Sequence, residues 1–267
     1  MGIGAQIRLN RLFSHPSGRF CSVAVDHFII YGEGIPPGLA KIRATLAAVA
    51  AGRPDAVTMH RGIATSAWAP HAGTVPFILQ STLIRPDDSV FDQVADAEDA
   101  VRLGADAIAV VAFVRGPTEG RYLGNVAAVV KDAARFELPV ITHVYPRTFK
   151  DGVAISYAPE DIAWAVRSVM ECGTDIVKVP FSSDPAAHAQ IVGECTVPVV
   201  AAGGPKADTL EAALRMFAQV VRSGARGATV GRNIWGHGKI AEVLAAVKAV
   251  IHDMAEPAGA LRRAGLA

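Results

Sequence analysis

Residues 197–236 read VPVVAAGGPKADTLEAALRMFAQVVRSGARGATVGRNIWG. Two short β-branched runs, 197–202 and 227–230, flank an alanine-rich segment from Ala207 to Arg222. Each run stops on a glycine turn, Gly203-Gly204 in the first case and Gly231-Arg232 in the second. A short continuous apolar run bounded by turn residues reads as a strand buried on both faces, and the longer segment between reads as a helix. Strand, helix and strand in that order make a βα unit of a parallel sheet.

The same unit recurs upstream. Strands are predicted at 20–25, 56–59, 76–80, 107–114, 139–145 and 175–181, which brings the total to eight. Helices are predicted at about 39–51, 92–103, 119–136, 159–171, 185–194, 207–222 and 239–254. The stretches AxxxGADAIAV from Ala100 and xxxCGTDIVKV from Val169 repeat one pattern, in which glycine ends a helix and a small-acidic pair begins a strand. Eight strands with intervening helices match a (β/α)8 TIM barrel, an α/β fold, in number, order and length. The expected organisation is a single barrel domain over 20–254, an N-terminal segment over 1–19 and a C-terminal tail over 255–267 that is either frayed or packed on a neighbouring subunit. A doubly wound sheet is the rival, but its glycine fingerprint follows the first strand, whereas here the glycine turns follow the last two. Neither GxGxxG nor a P-loop opens a helix.

Composition narrows the function classes. A 51% hydrophobic and 19% charged chain of 267 residues has ample material for one large core and excludes intrinsic disorder. Its formal net charge of +1 supplies no global field for nucleic acid or an anionic membrane surface, so neither is an expected partner. Cys21, Cys172 and Cys195 carry no zinc spacing and read as reduced thiols. The N-terminus lacks the apolar region of a signal peptide, and no uncharged stretch is long enough to span a bilayer, so a soluble cytoplasmic protein is expected.

In a barrel, polar residues at the C-terminal ends of strands lie at the catalytic rim. Here they are Asp26, His27, His60, Gln80, His143, Tyr145 and Lys178, with Arg232 beside the last glycine turn. Lys178 stands in the otherwise apolar DIVKVPF, where alternation puts it on the face of Ile176. Burying an ammonium is costly, and a desolvated lysine that is partly neutral near pH 7 is a nucleophile for a carbonyl carbon. An ion pair with Asp26 or Glu119, or a lysine reaching out to the rim, would explain it equally well. His143 and Tyr145 share a face, and Pro146 restricts Tyr145 to extended backbone. That makes Tyr145 either a proton donor and acceptor or a packed rim tyrosine. Asp26 is a candidate proton carrier or a loop cap, and His143 either orients Tyr145 or satisfies a carbonyl. Asp26, His27 and His60 lack short metal-ligand spacing, and no metal site is expected. The loops carrying Gly203, Gly204, Lys206, Gly231 and Arg232 stand where barrels place phosphate-binding amides, or are simply tight turns with a solvated arginine.

Taken together, AVDH (24–27), MHRG (59–62), LGADAIAV (103–110), VYPR (144–147), GTDIVKVPF (173–181), AAGGPK (201–206) and VGRNIWG (230–236) resemble the archaeal-type class I fructose-bisphosphate aldolases and their relatives, the aminodideoxyheptulosonate synthases and quorum-signal phosphate thiolases. The resemblance runs in order along essentially the whole chain. It implies that Lys178 forms a Schiff base, Tyr145 is the general acid/base and Asp26 assists proton transfer. It also implies that Gly203, Gly204, Lys206, Gly231 and Arg232 hold a phosphate, with His27, His60 and His143 as possible substrate contacts. The expected reaction is reversible aldol cleavage of a phosphorylated ketose such as fructose 1,6-bisphosphate or a smaller analogue, without cofactor or metal, in a homo-oligomer such as an octamer or decamer. A transaldolase-like synthase or thiolase using the same imine, or a non-catalytic sugar-phosphate sensor, are the alternatives. Three positions depart from the family pattern: Phe28 replaces a common glycine, Thr148 another, and His143 a common aromatic residue.

Overall fold

The computed structural model describes residues 2–27 and 34–267. The described strands, in chain order, are β1 (Phe20–Ala24), β2 (Ala56–His60), β3 (Phe77–Gln80), β4 (Thr82–Ile84), β5 (Phe91–Gln93), β6 (Ala107–Val114), β7 (Val140–Thr148), β8 (Ala154–Ile155), β9 (Ile176–Pro180), β10 (Val199–Ala202) and β11 (Gly227–Val230). Eight of them form a closed parallel ring, β1-β2-β3-β6-β7-β9-β10-β11, in which β11 returns to β1 through the pair Phe20↔Gly227. This is the predicted TIM barrel. Every predicted strand overlaps an observed one, because a strand covered on both faces leaves an uninterrupted apolar signature.

Two apolar layers hold the ring. The larger one lies between the strands and the surrounding helices. The smaller one fills the floor of the barrel with Phe20, Ala56, Ile78, Ala107, Ala109, Ile141, Ile176 and Val200, all inward-facing. Leu12 joins that floor from a helix over Ile3–Leu12, with Leu9 and Phe13 packed beside it. This helix was not foreseen within the N-terminal segment. It closes the bottom of the barrel through Leu9, Leu12 and Phe13, while Ile3 and Ile7 on its other side stay exposed. Inward positions alternate along each strand, so two residues above Ile176 the chain must present Lys178, and two above Ile141 it must present His143.

Other differences have local causes. The helix predicted from about 92 begins at Ala97, where Asp96 accepts the N–H of Asp99 in a reciprocal capping box. The residues before it form the small antiparallel β4–β5 hairpin. The helix predicted from Ala207 starts at Leu210, because the Thr209 hydroxyl caps it and the Ala207 N–H is held by Asn233 instead. Beyond 255 the chain is not a frayed tail. Pro257–Arg263 is a helix with Ala260 and Leu261 buried against the chain's own helices Leu210–Arg222 and Ile240–Asp253. All three cysteines are free thiols. No described helix is long and apolar enough to cross a membrane.

Candidate active site

The C-terminal end of the barrel opens into a cavity of about 570 Å³. Asp26, His27, His143, Tyr145, Lys178, Gly203, Gly204, Gly231 and Arg232 all line it. Of the predicted site residues, His60 and Lys206 are outside the lining. His60 ends β2 half-buried, and its Nε2 has no hydrogen-bond partner among the described residues. Lys206 is exposed and lies along Gly236 and His237. Asp26, His27 and His60 do not gather into a group able to hold a metal ion, and neither does any other set of described residues. Phe28 falls outside the described residues.

Lys178 is only 4% exposed. Its Nζ meets the imidazole Nδ1 of His143 at 3.5 Å, a neutral partner, while Asp26 acts on it through the field. Burial drives the ammonium towards deprotonation against the attraction of Asp26, leaving its pKa at about 8. Of the two ion pairs weighed from sequence, Glu119 is not the partner. Its carboxylate accepts from the Trp164 indole at 2.9 Å and from the Arg115 amide.

For Asp26, burial pushes the carboxyl up, but attraction from His27, Lys178, His143 and His60, whose imidazoles carry charge only in acid, outweighs that and holds it below the usual carboxylate range. Burial also lowers His27 to about 4 and His143 well below its ordinary value. At neutral pH both imidazoles are therefore uncharged, and Lys178 is the cation that balances Asp26.

Gln80 sets the aim of this group. Val111 N–H donates to Thr82 Oγ1 at 2.9 Å, and Thr82 donates in turn to Gln80 Oε1 at 3.0 Å. That chain fixes which end of the amide is which. The Gln80 NH2 then faces Asp26 Oδ2 at 3.0 Å and His143 Nδ1 at 3.5 Å. Sequence marked Gln80 as a polar strand end but gave it no role. Replacing it with leucine strands the Thr82 hydroxyl and removes a buried donor from Asp26, so a stability loss of about 1–3 kcal/mol is expected in urea unfolding. An unchanged midpoint would show that Gln80 does not hold this carboxylate.

The glycine turns are built for close approach. A Cβ on Gly203 would stand 2.8 Å from the Val230 Cα, and one on Gly231 would collide with the His27 ring. Gly204 has a φ of +69°, a left-handed conformation that suits glycine. Asn233, missed from sequence, fastens the two turns together. Its amide donates to Gly203 O and Pro205 O, each at 2.8 Å, and accepts from Ala207 N at 2.8 Å. Its only sequence signal is a buried amide in the apolar stretch VGRNIWG. Arg232 Nη2 donates to Gly204 O at 3.2 Å, which holds the guanidinium beside both turns.

On the far side of Lys178, Tyr145 packs against Phe113 with ring centroids 6.0 Å apart. Arg147, from the same motif, does not enter the cavity. Fully buried, it bonds Pro86 O at 2.8 Å, Asp88 Oδ1 at 2.8 Å and Thr118 Oγ1 at 2.7 Å, and so fixes Pro86 at the cavity wall. Thr148 pairs with Ala154 in the short β7–β8 ladder.

Residues 20–237 match a family described as DeoC/LacD family aldolase. The chain is 33% identical over 98% of its length and 97% of the relative's to a 2-amino-3,7-dideoxy-D-threo-hept-6-ulosonate synthase of Halobacterium salinarum. It is 34% identical to a class 1 fructose-bisphosphate aldolase of Thermoproteus tenax over 68% of each chain. Among solved structures, an archaeal fructose 1,6-bisphosphate aldolase superposes with a TM-score of 0.82 and 28% identity, covering 93% of this chain and 99% of the other. A further one, with its catalytic lysine covalently bound to the carbinolamine intermediate of the substrate, gives 0.81 at 28% identity over the same shares.

Proposed function

Since this chain belongs to the DeoC/LacD family of aldolases, we propose that it makes and breaks a carbon–carbon bond in a phosphorylated ketose through an imine on Lys178. One observation carries the reading: a buried lysine with its pKa lowered to about 8 shares a cavity with Asp26, Tyr145 and a glycine-arginine cradle.

Neutral Lys178 attacks the ketone carbon and gives a carbinolamine. Loss of water, with Asp26 and Tyr145 carrying protons, leaves an iminium. Tyr145 then takes the proton from the hydroxyl beyond the bond to be broken, and the electron pair of that bond moves towards the iminium nitrogen. An aldehyde leaves, the enamine is protonated, and water frees the second product and the amine. The turns at Gly203, Gly204, Gly231 and Arg232 anchor a phosphate away from the reacting bond, where binding energy can be spent on orientation. No resident metal or cofactor is part of this scheme.

The deciding test is borohydride reduction with dihydroxyacetone phosphate and a panel of smaller and larger ketose phosphates, followed by peptide mass spectrometry. A reduced adduct on Lys178 is expected, and its mass identifies the retained fragment. Binding of these phosphates with no adduct from any of them would sink the imine reading and favour a sensor. The 33% identity to a synthase supports a second reading, the same imine with net synthesis as the outcome. Product analysis with defined donor and acceptor pairs separates the two. Arg232→Ala is expected to raise KM for a phosphorylated ketose roughly ten- to a hundredfold, with little change for the unphosphorylated ketose. Equal losses on both would take the phosphate away from this cradle.

A further inference from the structure

The two ends of the cavity differ in chemistry. Arg232 and the glycine turns stand at the ends of β10 and β11, while the strands on the other side of Lys178 are β7 and β6. Tyr145 comes from β7, so the half of the substrate that leaves as aldehyde lies on that side. Beside Tyr145 and the uncharged imidazole of His143, the lining there is Pro86, Val111, Phe113, Ala154 and Ile155. Apart from Lys178, Arg232 is the one lysine or arginine among the described lining residues. Arg147, behind this wall, has no exposed side-chain surface and is spent on Asp88, Pro86 and Thr118. Arg85 and Lys150, on nearby loops, lie outside the lining. The sequence of 28–33, FIIYGE, contains neither lysine nor arginine.

A phosphate pressed against such a wall would lose its hydration and find no charged donor to replace it. An alkyl or aryl group would gain by burying its surface there. We propose that the aldehyde partner of this enzyme is uncharged and apolar, so that the ketose it cleaves carries one phosphate, on the ketone side, and is not a bisphosphate. This rests on the imine reading above and names its substrate class. In the synthetic direction, the enamine carbon of the Lys178-bound ketone phosphate attacks the aldehyde carbon. The carbonyl π bond breaks, its oxygen takes a proton from Tyr145, and water hydrolyses the iminium to release product and restore the amine.

The experiment offers the full chain dihydroxyacetone phosphate, or whichever ketone phosphate of the trapping panel gives the adduct. The acceptors are butanal, benzaldehyde, glyceraldehyde and glyceraldehyde 3-phosphate. The kcat/KM for butanal or benzaldehyde is expected to exceed that for glyceraldehyde 3-phosphate by at least about tenfold. Equal or better use of the phosphorylated aldehyde overturns the proposal. Ile155→Arg, on a short edge strand, adds a cation to the wall and is expected to shift the ratio towards glyceraldehyde 3-phosphate by about tenfold or more. Adduct formation by that variant reports that its site is assembled, and an unshifted ratio in an adduct-forming variant counts against the wall as the acceptor site. If the variant does not assemble, the wild-type acceptor series decides alone. An adduct on Lys178 together with a preference for the phosphorylated aldehyde sinks this proposal and leaves the imine reading standing. No adduct with any donor sinks both.

Discussion

Lys178→Met is expected to remove the borohydride-trapped adduct and to lower aldol turnover by at least about a thousandfold. In the unaltered protein, adduct formation at subsaturating ketone should rise with pH through about 8, because below that value Lys178 is protonated and carries no lone pair. A flat profile between pH 6 and 9 would mean that another step, or another amine, controls the reaction.

The same residue links activity to stability. Its folded pKa of about 8 against an ordinary 10.5 means that folding pays to bury the ammonium. At about 1.4 kcal/mol per unit that penalty is about 3 kcal/mol. It is fully present below pH 8 and fades as pH rises towards 10.5, where the amine is neutral in both states. Methionine removes the penalty but leaves Asp26 buried without its cation, and breaking such a pair costs about 3–5 kcal/mol. Lys178→Met alone should therefore be no more stable than the parent. Lys178→Met with Asp26→Asn should recover stability to the parent level or above. Urea unfolding of the three proteins at pH 7 checks this, and a single variant markedly more stable than the parent would show that Asp26 and Lys178 are not coupled.

The barrel was legible because its inner strands are buried on both faces. Apolar runs such as 107–114 or 227–230 carry their own signature, and glycine turns punctuate them. The N-terminal helix had no comparable signal. Leu9, Leu12 and Phe13 are apolar because they meet the barrel floor, a surface that exists only after the ring closes. Alternation likewise put Lys178 on the face of Ile176 and Tyr145 on the face of His143, and all but two of the predicted site residues line one cavity.

What sequence could not show is who aims whom. Gln80 depends on Thr82, whose hydroxyl depends on an amide of β6, and no spacing in the chain encodes that relay. Asn233 joins two turns separated by a whole helix. Lys206 follows the glycine pair in sequence, but the turn carries it out along Gly236 rather than into the cavity. His143 was legible as a strand end, whereas its value as a neutral partner for Lys178 follows only from its burial.

Tyr145→Phe is expected to separate imine formation from bond cleavage. The ring that packs on Phe113 is retained, so the fold should be kept, and Lys178 with its partners Asp26 and His143 is untouched. Adduct formation with a ketone phosphate should change only a few-fold, because Asp26 remains to share the proton transfers of dehydration, while kcat for cleavage falls by about 10²–10⁴, the range for removing a general acid/base. Equal loss in both would mean that carbinolamine dehydration depends on Tyr145 as much as cleavage does, and no loss in either would move the proton transfer to a neighbour. His143 is the nearest rival, but burial holds its pKa far below neutrality, and an imidazole so reluctant to accept a proton is a poor base for a substrate hydroxyl. Asp26 is held below the carboxylate range and is poorer still. The site thus keeps its imidazoles and carboxylate too weakly basic to compete, which makes cleavage in the Tyr145→Phe protein a measure of how much proton transfer this one hydroxyl carries.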